Sequence, residues 1–102
     1  MAFDKYGYRW EGCFTDANML EPRSGVYMVW CKTGEQWSVM DVGESANVQE
    51  RVLNHDRRPQ WEQHCGGTLH FAAHYTPNAQ QAGRREIETR LREITDPPCG
   101  DR

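Results

Sequence analysis

The sequence predicts a small α/β (α+β) domain: a three-stranded antiparallel sheet flanked by helices, in the order β-β-α-β-α. Three observations point there. GVYMVWCK at 25–32 and WSVMDVG at 37–43 are runs rich in valine and aromatics, separated by the turn-formers Thr33, Gly34 and Glu35. TLHFAAHY at 68–75 alternates, with Leu69, Phe71, Ala73 and Tyr75 on one face and His70, Ala72 and His74 on the other. Residues 79–94 set Ile87, Leu91 and Ile94 at the i, i+4, i+7 spacing of a buried helical face.

The chain has 102 residues, the size of one domain. Residues 1–22 show no clear period, and Glu21-Pro22-Arg23-Ser24-Gly25 reads as a break. The division is therefore an N-terminal extension, 1–24, and a domain, 25–100. The extension is expected to pack Tyr6, Tyr8, Trp10 and Phe14 on that domain.

The first two strands form a hairpin. A three-residue loop, with Gly34 in its left-handed position, pairs Tyr27 with Asp41, Met28 with Met40 and Val26 with Val42. One face then holds Val26, Met28, Trp30, Met40 and Val42. The other holds Tyr27, Val29, Cys31, Trp37, Val39 and Asp41. Both faces are largely apolar, so cover is expected on both sides. Ser45 offers an N-cap to a helix through ANVQERVLNH, and Arg57-Arg58-Pro59 ends it or begins a new turn. Trp61 to His64 reads as a short helical piece, Gly66-Gly67 as a breaker, and Asp96-Pro97-Pro98 as the stop of the last helix.

No apolar run approaches the roughly 20 residues of a membrane span, and the first ten residues lack the apolar core of a signal peptide. The expected location is the cytoplasm, with no membrane partner. Cys13, Cys31, Cys65 and Cys99 are then expected to be reduced. His64, Cys65, His70 and His74 lie close in sequence, but their spacing matches no standard zinc module, so surface, strand or core roles are preferred. The net charge of −3 is unlike a strongly basic nucleic-acid binder. Yet Arg51, Arg57, Arg58, Arg84, Arg85, Arg90 and Arg92 all fall in the second half. They form either a local basic face or a solvated surface of mixed ion pairs.

Two tripeptides and their surroundings point to a family. Gly25-Val26-Tyr27 is similar to a GIY element, and Asp41-Val42-Gly43 stands where a YIG element belongs. Gly43-Glu44-Ser45-Ala46-Asn47-Val48 then runs to Arg51 and His55, and Glu88-Thr89-Arg90-Leu91 precedes Pro97-Pro98-Cys99-Gly100. Over about three quarters of its length the chain resembles the GIY-YIG nuclease superfamily. The resemblance implies cleavage of phosphodiester bonds, in DNA more than RNA, with one Mg2+ or Mn2+ ion. A metal and an arginine aimed at the growing phosphate charge lower the barrier.

By that resemblance Tyr27 helps activate water, Arg51 clamps phosphate and Glu88 holds the metal. Gly43, Ser45, His55 and Arg84 join the nucleic-acid-binding set, Gly43 by close backbone approach. Plainer roles stand beside these. Tyr27 is a core strand aromatic, and Arg51 pairs with Glu50 or Glu44. Glu88 forms an i, i+4 pair with Arg84 or Arg92, Gly43 ends a strand, and His55 ends a helix. Two positions depart from the pattern: Asp41 replaces the second tyrosine, and Gly100 replaces the closing asparagine. Asp41 has three readings: a change that disarms the site, a polar strand end without a role, or a second metal carboxylate beside Glu88. The rival to an endonuclease is a catalytically inactive module that binds nucleic acid or protein. The nuclease would either take its target choice from a protein partner or cut with weak specificity.

Overall fold

The computed structural model describes residues 1–100. Its sheet has five strands: β1 (Ala2–Lys5), β2 (Tyr8–Phe14), β3 (Gly25–Thr33), β4 (Gln36–Ser45) and β5 (Thr68–Tyr75), in the spatial order β1-β2-β5-β3-β4. Every pairing is antiparallel. The expected three-stranded sheet is therefore corrected. The three predicted strands are present, but the segment read as an extension adds a hairpin to the free edge of β5. Tyr6 (φ 57°) and Gly7 (φ 86°) are both left-handed, the conformation of the tight turns that match strand twist. A tyrosine seldom takes that conformation, so the turn carries no sequence signal.

Three helices are described: α1 (Val48–Leu53), α2 (Arg58–His64) and α3 (Gln81–Thr95). The first is capped by Asn47, whose side chain accepts from Glu50 N–H, and not by Ser45 as expected. Ser45 instead folds onto Asn47, accepting from its N–H and donating to its C=O, both at 3.0 Å. In α2, Pro59 occupies the first turn, where its missing N–H costs nothing. A left-handed Asp96 ends α3.

The sheet separates two cores. On one face Leu20, Tyr27, Val29, Phe71, Val48, Val52 and Trp61 pack together, bringing α1 and α2 onto the sheet. On the other, Trp10, Val26, Met28, Val42 and Leu91 pack beneath α3. Both faces are covered, as the two-sided apolar pattern of the hairpin requires. Ile94 does not join the second core: it is 51% exposed. The inward side of α3 is skewed toward Leu91, Glu88 and Arg92, leaving Ile94 on the opposite flank.

The hairpin register differs from the expected one. The loop has two residues, Gly34 and Glu35, because Thr33 already pairs with Gln36. Tyr27 therefore lies opposite Gly43, and Asp41 opposite Val29. The register also shifts between Val29 and Trp30, where Met40 is the extra residue of a bulge. Met40 moves to the Tyr27 face, while Val39 packs on the α3 side. Trp37 likewise meets Trp30 there. The bulge has a consequence for the site. A two-residue loop alone would turn Asp41 away from Tyr27, and the extra residue turns it back.

Cys31 and Cys65 form a disulfide, which corrects the expectation of four reduced cysteines. It ties β3 to the C-terminal end of α2, leaving Cys13 and Cys99 free. It also takes Cys65 from the His/Cys cluster, and the sheet separates Cys65 from His70 and His74 on the alternate face of β5. Among the described residues no helix is long and apolar enough to cross a membrane.

Candidate functional site

Asp41 is the centre of the site, and it is fully buried. A carboxylate in that position is tolerated only if it is hydrogen-bonded and charge-compensated. Oδ1 accepts from its neighbour's backbone, Val42 N–H, and from Arg92 Nη2, each at 2.8 Å. Oδ2 accepts from Arg57 Nε at 2.8 Å and from Trp61 Nε1 at 2.7 Å. Four donors thus occupy the two oxygens. They come from β4, from the start and middle of the α2 segment, and from α3, so one carboxylate fastens three parts of the chain. Arg92 also donates to Val42 O and, through Nη1, to Cys99 O at 3.1 Å. A Cβ on Gly100 would strike the Arg92 guanidinium at 2.5 Å. The glycine at the expected asparagine position is therefore the one that admits this arginine.

Glu88 lies one helical turn before Arg92, and its Oε2 accepts from Arg92 Nε at 3.2 Å. Arg92 therefore stands between the two carboxylates that the sequence offered as shared metal ligands. Of the two pairings considered for Glu88, the structure forms the one with Arg92. The donor set does not fit a magnesium ion in this arrangement. Magnesium needs carboxylate lone pairs and retained waters, whereas Asp41 already accepts four hydrogen bonds and Glu88 is engaged by a cation. Among the described residues no three His, Cys, Asp or Glu side chains converge as a metal-ligand group.

Tyr27 is 1% exposed, and its hydroxyl lies 2.6 Å from Nε2 of the buried His55. His55 Nδ1 accepts from Arg57 N–H at 3.0 Å, so in the neutral ring the proton sits on Nε2. His55 then donates to the tyrosine, leaving it no lone pair with which to take the tyrosine's proton. Burial, then Arg51 and Arg57, hold the His55 pKa down to about 4, so the ring is neutral at pH 7. Burial and the charge of Asp41 push the Tyr27 pKa well above its usual value, outweighing Arg51 and Arg57. Such a phenol is a poor source of phenolate for activating water.

Gly43 allows a close approach, as expected, but it is Tyr27 that approaches. A Cβ there would fall 2.1 Å from the Tyr27 hydroxyl oxygen. Arg84 is buried against Glu44 (Nε to Oε2, 2.8 Å), Ser24 Oγ (3.1 Å) and Ala79 O (3.2 Å), so it joins α3 to the sheet. Arg51 is open to solvent, its side chain 39% exposed, and it pairs with Asp56 at 3.2 Å rather than with Glu50 or Glu44. It borders a hollow of about 340 Å3 with Ser45, Ala46, Asn47, Glu50 and Asn54.

Tyr27, His55, Arg57, Asp41, Arg92 and Glu88 thus form one chain of hydrogen bonds, with Tyr27 and Glu88 at its two ends, and the charges of Asp41, Arg51 and Glu88 are all felt at the Tyr27 hydroxyl. Ser45 borders the hollow beside Arg51, and Arg84 lies apart. Sequence reasoning missed Arg57, Trp61 and Arg92 as partners of Asp41. A signal was present: an aspartate in a strand covered on both faces must find cationic donors, and Arg92 follows Glu88 by one turn. Comparison with protein-family models, curated proteins and solved structures finds no match.

Proposed function

We propose that this chain is a GIY-YIG-like module that binds nucleic acid, DNA before RNA, without cutting it. The observation that carries this reading is the placement of Arg92 between Asp41 and Glu88. A guanidinium balances the charge that a catalytic cation would otherwise balance. Tyr27, held as an acceptor by His55, adds support. Phosphate contact falls to Arg51, whose planar fork suits phosphate oxygens. Target choice then comes from a protein partner. The compartment this reading assigns is the cytoplasm.

The test is fluorescence anisotropy of a labelled DNA duplex titrated with protein over a range of salt. Binding should weaken steeply with salt, and Arg51→Ala should flatten the slope of log K against log salt by about 1. Absence of salt-dependent binding would leave the protein-binding form of the module as the better reading.

A second reading is a Mg2+- or Mn2+-dependent endonuclease using Tyr27, Arg51 and Glu88. One observation favours it: the charges of Arg51 and Glu88 are both felt at the Tyr27 hydroxyl. It requires Arg92 to release Glu88.

A further inference from the structure

On the sheet face opposite Tyr27 lies a cavity of about 450 Å3, within the range of small-molecule sites. We propose that it binds a planar aromatic anion, a class that includes aromatic carboxylates and nucleoside monophosphates. Phe3, Lys5, Cys13, Trp30, Trp37 and His70 supply most of its lining.

The aromatic preference rests on the walls. Trp37 meets Trp30 with ring centroids 6.2 Å apart and His70 at 4.7 Å, both edge to face. Trp37 is 44% exposed, so its ring is open to a ligand that stacks on it. The hydrogen-bonding preference rests on Trp30. Its Nε1 is the one buried side-chain nitrogen or oxygen among the described residues with no partner. A buried donor is costly to leave unpaired. Trp30 lines the cavity but its Nε1 is itself covered, so an acceptor on a ligand would satisfy it once the ring turns that edge toward the cavity. The preference for an anion rests on charge. Lys5, a lining residue, has its Nζ 6.0 Å from the Trp30 ring, and Lys32, just outside the lining, has its Nζ 5.4 Å from the Trp37 ring, while among the described residues no carboxylate lines the cavity. Two ammonium groups therefore border the aromatic walls of a chain that is acidic overall. This site shares no residue with the Asp41 centre, so it stands or falls independently of nucleic-acid binding.

The experiment follows the indole N–H signals of 15N-labelled protein during titration with 2-naphthoate and with adenosine 5′-monophosphate. Their uncharged analogues, 2-naphthylmethanol and adenosine, are run alongside. Saturable movement of the Trp30 indole signal by at least one anion is expected. Response to naphthoate alone identifies an aromatic carboxylate site, and response to the nucleotide as well identifies a broader one. Lys5→Met should weaken the anions about two- to fivefold and leave the neutral analogues unchanged. Trp37→Ala, at an exposed position that does not threaten folding, should weaken every ligand. The proposal is overturned if no probe moves the Trp30 signal at millimolar concentration. It is equally overturned if the neutral analogues bind as tightly as the anions, or if neither variant alters binding.

Discussion

Arg92 Nη2 lies 2.8 Å from Asp41 Oδ1, joining residues 51 apart in sequence. The contact connects the helix on one sheet face to a carboxylate on the other. Asp41→Asn would leave Arg57 and Arg92 without their shared counter-charge. Both arginines keep some access to water, which tempers the loss, so the cost should be about 2–4 kcal/mol by urea denaturation. Asp41→Tyr, which installs the motif's tyrosine, should cost at least as much, since it removes the charge and adds a ring to a filled space. A change within about 0.5 kcal/mol of the parent would contradict this account of Asp41.

His55 makes stability depend on pH. Its folded pKa is about 4, against about 6.5 for an unfolded histidine. Between those values the unfolded chain binds more protons than the folded one. Stability is therefore complete above about pH 6.5 and declines as pH falls toward 4. His55→Gln should flatten that decline when denaturation midpoints are compared across the interval. Parallel profiles for parent and variant would mean that His55 is not held neutral by the fold.

Gly43→Ala should destabilise by about 1–3 kcal/mol, because its methyl group would overlap the Tyr27 ring and hydroxyl. A double-mutant cycle isolates the cause. In a Tyr27→Leu background the same change should cost much less. Equal costs in both backgrounds would point to a strand effect unrelated to Tyr27.

The Cys31–Cys65 disulfide closes a separation of 34 residues. Chain-entropy reasoning assigns such a closure about 3–4 kcal/mol. A thiol count on denatured protein should find two free cysteines before reduction and four after, and reduction should lower the denaturation midpoint. Four thiols in the untreated protein would remove the bond from the account.

The parts legible in the sequence share a cause: their signals are local. Alternation in residues 68–75 and the two-sided apolar hairpin depend on neighbours a few positions away, so β3, β4 and β5 could be read directly. The first hairpin could not, because its turn uses Tyr6 where asparagine or glycine would give the signal. The bulge at Met40 was hidden for a similar reason: no residue marks it, and only pairing along the whole strand reveals it. Motif spacing pointed to Tyr27, Arg51, His55 and Glu88, of which Tyr27 and His55 meet directly while Glu88 reaches Asp41 only through Arg92. What it could not supply was the role of Asp41, which is set by Arg57, Trp61 and Arg92, residues 16, 20 and 51 positions away.

The central claim is that Asp41 and Glu88 are balanced by arginine and not by a catalytic metal ion. It is tested most directly by incubating labelled DNA with the parent protein and with Glu88→Ala, each with Mg2+, with Mn2+ and with chelator. The account predicts that the two proteins are alike, both at the chelator background, under conditions where the parent binds the DNA. Metal-dependent cleavage by the parent that Glu88→Ala abolishes would contradict it, and would mean that Arg92 yields Glu88 to the ion.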